Sequence, residues 1–448
     1  MNTPIVDFVK NYAESDFSRL HMPGHKGKNF LGCESLDITE IKGADALYEA
    51  DGIISESEKN ATELFSSGRT LFSTEGSSHG IRSMIYLALK MRENKEEEPV
   101  ILAARNAHKA FLYALALTGC DVSWLYPKET NLNSVCACKI DAEDVRKAYD
   151  EAVKKPFALY LTTPDYLGQL SDIKSISEVC RKKGMLLLID NAHGAYLHFL
   201  KEPCHPMDLG ADICCDSAHK TLPVLTGGAY LHLSKRANEK VGQYAKSSMA
   251  LFGSTSPSYL IMQSLDLCNK YLSENYRERL FETCEKIASL KKKLEENNIP
   301  VLESEKLKVV IDAPKMGYTG YELQEALRKN KAEAEFADET FLVCMLTPEN
   351  RDVDYERLFK TLAEMEKREP LAVEPIFLRK LKKGMGIREA VFAPCEIVGV
   401  EASVGRICAS PTVSCPPAVP IAISGDIISS EVVPLFKSYG VEDIAVVK

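Results

Sequence analysis

The sequence predicts an α/β protein: a large domain with a central, mainly parallel β-sheet, a small α+β domain and a mostly β C-terminal unit. A chain of 448 residues is long enough for several domains. Between residues 98 and 233, short apolar runs alternate with amphipathic stretches, as in parallel strands joined by crossover helices. After residue 269 this rhythm changes, and after residue 369 prolines divide the chain into short segments rich in Val and Ile.

Composition excludes several classes of protein. Hydrophobic residues make up 45% and charged residues 27%, which is typical of a globular chain. A net charge of -9 argues against a nucleic acid or an anionic membrane as partner. The start resembles no signal peptide, and no apolar run is long enough to span a membrane. We therefore expect a soluble, cytoplasmic protein whose 14 cysteines are reduced.

The large domain is predicted to contain six parallel strands and at least one crossover helix. The strands are expected at residues 99–104, 121–126, 157–162, 185–190, 212–216 and 228–233. The helix is expected at 173–183, where apolar residues recur at helical spacing and Gly184 follows. Polar residues gather where these strands end, which is the edge at which open α/β sheets bind ligands.

The second half of the chain predicts the two smaller units. We expect a long helix at 271–298, strands at 306–313 and 335–346, and helices at 321–331 and 355–367. The predicted division is an N-terminal arm (1–35), a large domain (36–268), a small domain (269–368) and a C-terminal domain (369–448).

Lys220 is the first candidate for chemistry. It lies in Asp-Ser-Ala-His-Lys-Thr-Leu-Pro, directly after the strand at 212–216. A lysine at that edge, with Ser217 and His219 beside it, suits a Schiff base with pyridoxal 5'-phosphate, because burial lowers the amine pKa and the neighbours can hold a phosphate. The alternative is a surface lysine in a loop.

Asp190 is the second candidate, at the end of the apolar strand at 185–190. A pyridoxal phosphate enzyme needs a carboxylate at the pyridine nitrogen so that the ring can accept electrons. Asp190 fits that role, and the alternative is a residue that caps the following loop.

The segment Ser-Thr-Glu-Gly-Ser-Ser-His-Gly at 73–80 predicts a phosphate site at the start of a helix, formed by Gly76, Ser77 and Ser78. An ordinary helix cap is the simple alternative. The same residues match the nucleophile elbow Gly76-x-Ser78-x-Gly80 of a serine hydrolase. Against that interpretation, no His-Gly-Gly-Gly segment precedes the elbow and no histidine follows His232.

His108 follows the strand at 99–104, where its flat ring could stack on a cofactor; it could equally be a loop histidine. No metal site is predicted, because Cys136, Cys138 and the pair Cys214 and Cys215 lack the spacing of zinc ligands. The chain also has no Gly-x-x-x-x-Gly-Lys-Ser/Thr and no Gly-x-Gly-x-x-Gly motif for a nucleotide.

Together, several runs resemble the pyridoxal-phosphate-dependent ornithine/lysine/arginine decarboxylases. They are LHMPGHKGK, TEGSSHG, ARNAHKA, LTTPDYLG, LLLIDNAHGAY, DSAHKTLPVLTGGAYLH and, near the C-terminus, SCPPAVP at 414–420. The resemblance implies the aspartate aminotransferase fold and a homodimer with active sites at the subunit interface. The chain departs from the family at Asn191, where glutamate is common, and at Glu75-Gly76-Ser77.

The resemblance also implies residue roles. Lys220 would form the Schiff base, Asp190 would face the pyridine nitrogen, and His108 would stack on the ring. His193 would lie at the reacting edge, and His219 or Lys220 would protonate the product carbon. The phosphate would be surrounded by Gly76, Ser77, Ser78, Ser217, His219 and, from the loop at 255–259, Ser256.

The function expected is decarboxylation of arginine, lysine or ornithine to agmatine, cadaverine or putrescine. Asp165 and Glu75 are candidate partners of the substrate's distal cation, because a buried unpaired charge is costly. Asp165 could instead be a turn residue and Glu75 a helix-start charge. Another pyridoxal phosphate reaction, a serine hydrolase and a catalytically silent relative are the alternatives.

Overall fold

The structure is a computed structural model that describes residues 1–126, 134–373, 376, 378, 380–410, 412–415 and 419–448, with the backbone alone at 412–415. The chain divides into two compact units. The first unit comprises Met1–Pro99, Pro156–Leu161 and Ile173–Arg277, and the second comprises Val100–Lys155, Thr162–Asp172 and Glu278–Lys448. The four domain boundaries expected from the sequence stay predictions. Residues 416–418 of the C-terminal proline motif lie outside the described residues.

The helices and strands have the following bounds. The helices are α1 Pro4–Glu14, α2 Ile53–Leu64, α3 Gly76–Met91, α4 Lys109–Thr118, α5 Ala142–Glu151, α6 Ile173–Lys183, α7 Pro206–Leu209, α8 Ala218–Thr221, α9 Lys235–Val241, α10 Ala245–Phe252, α11 Tyr259–Ser273, α12 Tyr276–Glu296, α13 Gly320–Lys329, α14 Asp352–Ala363, α15 Ile387–Phe392 and α16 Val433–Ser438. The strands are β1 Arg69–Ser73, β2 Val100–Ala104, β3 Asp121–Leu125, β4 Ala158–Thr162, β5 Leu186–Asp190, β6 Ile213–Asp216, β7 Ala229–Leu233, β8 Val301–Leu302, β9 Lys308–Asp312, β10 Phe336–Ala337, β11 Phe341–Met345, β12 Lys382–Lys383, β13 Cys395–Gly399, β14 Thr412–Cys415, β15 Val419–Ile423, β16 Asp426–Ile427 and β17 Asp443–Val447.

The sheet of the first unit has the strand order β1-β7-β6-β5-β4. β5 and β6 are parallel, with Asp190 opposite Cys215. The sequence prediction was wrong for β7, which runs antiparallel to both β6 and β1. The reason is that β6 and β7 are joined by α8, which has four residues and rises only about 6 Å, too little to return the chain along the sheet as a crossover helix.

The strand β1 was not predicted, because its apolar run is only Leu71 and Phe72 between polar residues. The predicted helix at 173–183 is confirmed as α6. Helix α3 packs on β6 and β7. A Cβ at Gly80 would lie 2.4 Å from Cys215 Sγ. Glycine there lets α3 lie close to the sheet, with the start of the helix at the edge where β6 ends.

The second unit contains the parallel pair β2 and β3, with Val100 opposite Asp121. Its four-stranded sheet has the order β10-β11-β9-β8, and its C-terminal part forms the pairs β12/β16, β13/β17 and β14/β15. The expected strand at 335–346 is two strands, because Asp338 Oδ1 accepts hydrogen bonds from the N–H groups of Thr340 and Phe341 and closes a turn. A buried cluster that includes Val310, Phe341 and Ile421, among other residues, forms a core.

The long helix expected at 271–298 is confirmed as α12, but it begins at Tyr276 and not at residue 271. The preceding helix α11 ends at Ser273, and Ser273, Glu274 and Asn275 are all exposed. Ser and Asn are weak helix formers, and with no buried apolar side chain the segment has nothing to hold it helical. None of the described helices combines the length and the apolar character needed to cross a membrane.

Candidate active site

Asp190 ends β5 as a buried carboxyl group, with 1% of its surface exposed. The Tyr160 hydroxyl donates to Oδ2 at 3.1 Å and the Ala192 N–H donates to Oδ1 at 3.2 Å. Burial raises the pKa of Asp190 to about 6, although the Lys220 charge and the Tyr160 hydrogen bond act in the opposite direction. A cation bound next to the carboxyl would lower this pKa and stabilise the ionised form of Asp190.

Lys220 lies in α8, directly beyond the end of β6. It is half-buried rather than fully buried as the sequence suggested. Its Nζ lies 3.0 Å from Nε2 of His193, which is itself 3% exposed. An amine and an imidazole at this separation can exchange a proton directly. The strand ends of β5 and β6 therefore bring a carboxyl group, an amine and an imidazole into the same part of the first unit.

The start of α3 offers donors suited to a phosphate. Gly76 has a positive φ of 72°, and a Cβ there would have nothing within 4 Å. Glu75 occupies the N-cap position, but its side chain does not cap the first turn. The Ser217 hydroxyl donates to Ser77 Oγ at 2.8 Å, which brings hydroxyl groups from α3 and from the end of β6 together. Hydroxyls beside a helix N-terminus are a common anion site.

Three further predicted residues belong to the same unit: His219 in α8, Glu75 at the N-cap of α3 and Ser256 in the loop before α11. His219 Nδ1 lies 3.0 Å from Gly228 O, which holds the ring against the loop that precedes β7. Glu75 is exposed and accepts a hydrogen bond from Ser254 N–H at 2.6 Å. Ser256 is exposed in the same loop, with its N–H on Ser254 Oγ at 3.1 Å. Glu75 thus ties the start of α3 to the loop that contains Ser256.

Two predicted residues belong to the second unit. His108 is half-buried and caps α4, because its Nδ1 accepts from Ala110 N–H at 3.1 Å. Asp165 is buried and its Oδ1 accepts from Gln169 N–H at 2.8 Å. Burial raises the pKa of Asp165 to about 6, partly offset by that hydrogen bond and by the charge of Lys308. These contacts are those of a turn residue, and a role in substrate binding stays a prediction.

The hydrolase alternative can be compared with the geometry around Ser78. The elbow's strand, turn and helix are present, since β1 leads into α3. The adjacent histidine, His79, is committed elsewhere: its Nδ1 lies 2.9 Å from Ser73 Oγ and its Nε2 lies 2.7 Å from Met249 O. His79 therefore has no nitrogen left to act as a base for Ser78.

Sequence reasoning missed Tyr160 and the part played by Asp216 and Asn191. Tyr160 holds Asp190, and Asn191 Nδ2 donates to Asp216 Oδ1 at 2.8 Å. One pattern could have indicated Asp216: it ends a buried strand just as Asp190 does, one position before Ser217.

The family model for the major domain of Orn/Lys/Arg decarboxylases matches residues 3–314, well over half of the chain. The chain therefore belongs to the ornithine/lysine/arginine decarboxylase family. The resemblance inferred from the motifs is confirmed, and with it the assignment to the amino-acid decarboxylases.

Two curated arginine decarboxylases match nearly the whole chain, and a lysine decarboxylase matches part of it. An arginine decarboxylase of Halalkalibacterium halodurans is 28% identical over 95% of this chain and 91% of its own. An arginine decarboxylase of Bacillus subtilis (strain 168) is 28% identical over 96% of this chain and 92% of its own. A lysine decarboxylase of Pseudomonas aeruginosa, LdcA, is 23% identical over a region that covers 58% of this chain and 38% of the length of LdcA.

Solved structures share the fold. The constitutive lysine decarboxylase of E. coli superposes with a TM-score of 0.80 at 15% identity, over 100% of this chain and 82% of that one. The serine palmitoyltransferase of Sphingomonas wittichii superposes with a TM-score of 0.57 at 13% identity, over 81% of this chain and 83% of that one. The predicted α/β fold class is thereby confirmed.

Proposed function

We propose that this protein is a pyridoxal-phosphate-dependent decarboxylase of a basic amino acid, with arginine as the preferred substrate. The observation that carries the proposal is the buried Asp190 carboxyl at the end of β5, whose pKa burial raises to about 6, so that a cationic partner would stabilise its ionised form. A protonated pyridine nitrogen is such a partner. The relatives named arginine decarboxylase cover more than nine tenths of the chain, and this supports arginine over lysine.

The donor set fits the cofactor. Asp190 offers an acceptor for the ring nitrogen, Lys220 offers an amine for a covalent link, and the start of α3 with Ser77 and Ser217 offers donors for the phosphate. When bound, the cofactor supplies a sink for the electron pair that remains after carbon dioxide leaves. Each part of the cofactor thus meets a group of matching chemistry in the first unit.

The remaining steps fall to side chains of this chain. Asp190, held by Tyr160 and the Ala192 N–H, keeps the ring nitrogen protonated. With the cofactor bound, the Lys220 Nζ would deliver a proton to the carbon that loses the carboxyl group, and His193 at 3.0 Å would replenish that proton. Each turnover releases one carbon dioxide and takes up one proton. His108 as the ring-stacking group and His219 as an alternative proton donor are part of the proposal and rest on the family resemblance.

The test is to measure carbon dioxide and amine release with arginine, lysine and ornithine side by side. We expect agmatine from arginine at the highest kcat/KM, with Lys220→Ala as the inactive control. A yellow chromophore that borohydride reduction removes should accompany the activity. Formation of a keto acid instead of an amine would indicate transamination on the same scaffold and would refute the decarboxylase proposal.

The partner of the substrate's distal cation is proposed to be Glu75 or Asp165. Glu75 is exposed and bonded to a loop, whereas Asp165 is buried and engaged in its turn, and the contacts therefore favour Glu75. Glu75→Gln and Asp165→Asn should be compared on arginine and on an uncharged amino acid. The variant that lacks the true partner should lose activity mainly on arginine. An equal loss of activity on both substrates would exclude the substituted residue.

We further propose that the enzyme acts in the cytoplasm as a homodimer, as the sequence suggested. Apolar side chains of the N-terminal arm support a partner surface: Phe17 is 72%, Leu20 92% and Leu31 89% exposed. Light scattering of the purified enzyme should give twice the mass of the chain, and a monomer that retains full activity would contradict the dimer.

A further inference from the structure

Two adjacent strand ends carry the residues of the candidate site. β5 leads to Asp190 and then to the turn that contains His193, and β6 leads to Ser217 and then to Lys220. The two ends are joined by two hydrogen bonds. Asn191 N–H donates to Cys215 O at 2.9 Å, and Asn191 Nδ2 donates to Asp216 Oδ1 at 2.8 Å. Asn191 and Asp216 are both fully buried.

Asp216 is prepared to accept that hydrogen bond as an anion. Its Oδ2 lies 2.9 Å from His205 Nε2 and 3.2 Å from His232 Nε2. Burial raises the pKa of Asp216, but the two histidines more than offset this and hold it well below its usual range. His205 Nδ1 accepts from the Met207 N–H, and its Nε2 must therefore carry a proton and donate to Asp216.

The second histidine is arranged in the same way. His232 Nδ1 lies 2.8 Å from the Thr70 hydroxyl, which is in turn 2.8 Å from Ser67 Oγ. Burial lowers the pKa of His232 and favours the neutral ring, although the Asp216 carboxylate acts in the opposite direction. A neutral ring whose Nδ1 accepts from Thr70 presents its Nε2–H to Asp216. The carboxylate is therefore surrounded by donors, and the amide of Asn191 can face it only through its nitrogen.

We propose that Asn191 and Asp216 are positioning residues: their hydrogen bond fixes the Asp190–His193 turn relative to the Ser217–Lys220 segment, and so sets the geometry in which the cofactor is held. The proposal rests on the proposed function. An amide suits residue 191 in this chain, because a carboxylate there would face the Asp216 anion. The position of the Asn191 side chain also explains Gly194, since a Cβ at Gly194 would lie 2.0 Å from Asn191 Oδ1.

The group His205, Asp216 and His232 has the spacing of a metal site. Both Nε2 atoms approach the same carboxylate oxygen at hydrogen-bond distance. The Met207 N–H on His205 Nδ1 leaves the proton of that ring on Nε2, and His232 donates from Nε2 in the same way when the Thr70 hydroxyl donates to its Nδ1. A protonated nitrogen cannot bind a metal. The three residues therefore form a hydrogen-bond network, and metal analysis of the purified protein should find less than stoichiometric metal.

The experiment compares Asn191→Asp and Asn191→Ala with a matched control, Asp212→Asn. Asp212 is also buried, and it also bridges the two strands, because its Oδ2 accepts from Leu187 N–H at 2.9 Å. It lies at the opposite end of β6, away from Lys220. Each protein is prepared without cofactor and titrated with pyridoxal phosphate. The Kd, the absorbance band of the Lys220 adduct and the unfolding temperature are measured.

We expect Asn191→Asp to raise the Kd at least tenfold and to shift the absorbance band, because two carboxylates then face each other. Asn191→Ala should raise the Kd by a smaller factor, and it decides the question if Asn191→Asp does not fold. Asp212→Asn should lower the unfolding temperature but keep the Kd within twofold of wild type.

Three outcomes would overturn the proposal. In the first, the Asn191 variants lower the unfolding temperature but leave the Kd and the band unchanged, which is a purely structural role. In the second, Asp212→Asn changes the Kd for pyridoxal phosphate as much as the Asn191 variants do. In the third, the wild-type protein contains stoichiometric metal that Asp216→Asn loses. A wild-type protein that does not bind pyridoxal phosphate at all would instead refute the proposed function and this inference with it.

Discussion

Replacing Asp190 by asparagine should stabilise the cofactor-free protein at alkaline pH while weakening cofactor binding. Burial raises the pKa of Asp190 from 3.8 to about 6. A shift of two pKa units corresponds to about 3 kcal/mol of folding free energy. At pH 8, where the carboxyl is ionised, the folded protein is less stable by this amount than it would be with an unshifted pKa. Asparagine removes this charge. It can accept only one of the two hydrogen bonds from Tyr160 and Ala192, a loss of about 1 kcal/mol, so the net gain is about 2 kcal/mol.

The sign of the effect depends on pH. A carboxyl group whose folded pKa is raised stabilises the fold below pH 4, and that stability is lost as the pH rises through the folded value near 6. The advantage of Asp190→Asn should therefore be absent at pH 4 and should reach its full size above pH 7. Urea unfolding of both cofactor-free proteins at pH 4, 6 and 8 measures it.

Cofactor binding should respond in the opposite direction. A neutral amide cannot pair with a protonated ring nitrogen, and removing one partner of a buried ion pair costs about 3–5 kcal/mol. The Kd for pyridoxal phosphate should therefore rise by a factor of at least about one hundred. A variant that is less stable than wild type at pH 8 would refute the burial argument, and one that keeps the wild-type Kd would mean that Asp190 is not the carboxyl group that meets the cofactor.

Three further substitutions test the same site. Lys220→Ala should abolish turnover and the absorbance of the lysine adduct while the unfolding temperature of the cofactor-free protein stays unchanged. Tyr160→Phe removes a donor to the Asp190 carboxylate worth about 1.5–3 kcal/mol; the pH midpoint of cofactor binding should rise by about one to two units, and an unchanged midpoint would exclude that role. Gly194→Ala places a methyl group 2.0 Å from Asn191 Oδ1; calorimetry should show destabilisation of about 1–3 kcal/mol.

The parts of the site that follow directly along the chain could be predicted from the sequence. Asp190 and Lys220 each lie just beyond an apolar run, and a carboxyl group or an amine at the end of a buried strand has few structural uses. Ser77 and Ser78 begin a helix whose apolar spacing was visible in the sequence. In each case the local pattern sufficed, because the strand or helix that positions the residue is adjacent to it.

The contacts that sequence reasoning missed depend on strand pairing. Tyr160 meets Asp190 because β4 lies beside β5, and neither the strand order nor the register is visible in the apolar runs. For the same reason Asn191 was noted only as a departure from the family. Its partner Asp216 lies 25 residues away, at the end of the neighbouring strand. The antiparallel direction of β7 was missed because an apolar run gives no direction.

The two carboxyl groups at the ends of β5 and β6 show how surroundings divide their roles. Both are buried, and each ends its strand. Asp216 is surrounded by two histidines and an amide, all donating, and its pKa is held well below the usual range. Asp190 has one hydroxyl and one backbone donor, and burial raises its pKa to about 6. Asp216 is already a satisfied anion that needs no ligand. The Asp190 anion is penalised by burial until a cation lies beside it, and this difference supports Asp190, rather than Asp216, as the residue that holds a cationic cofactor ring.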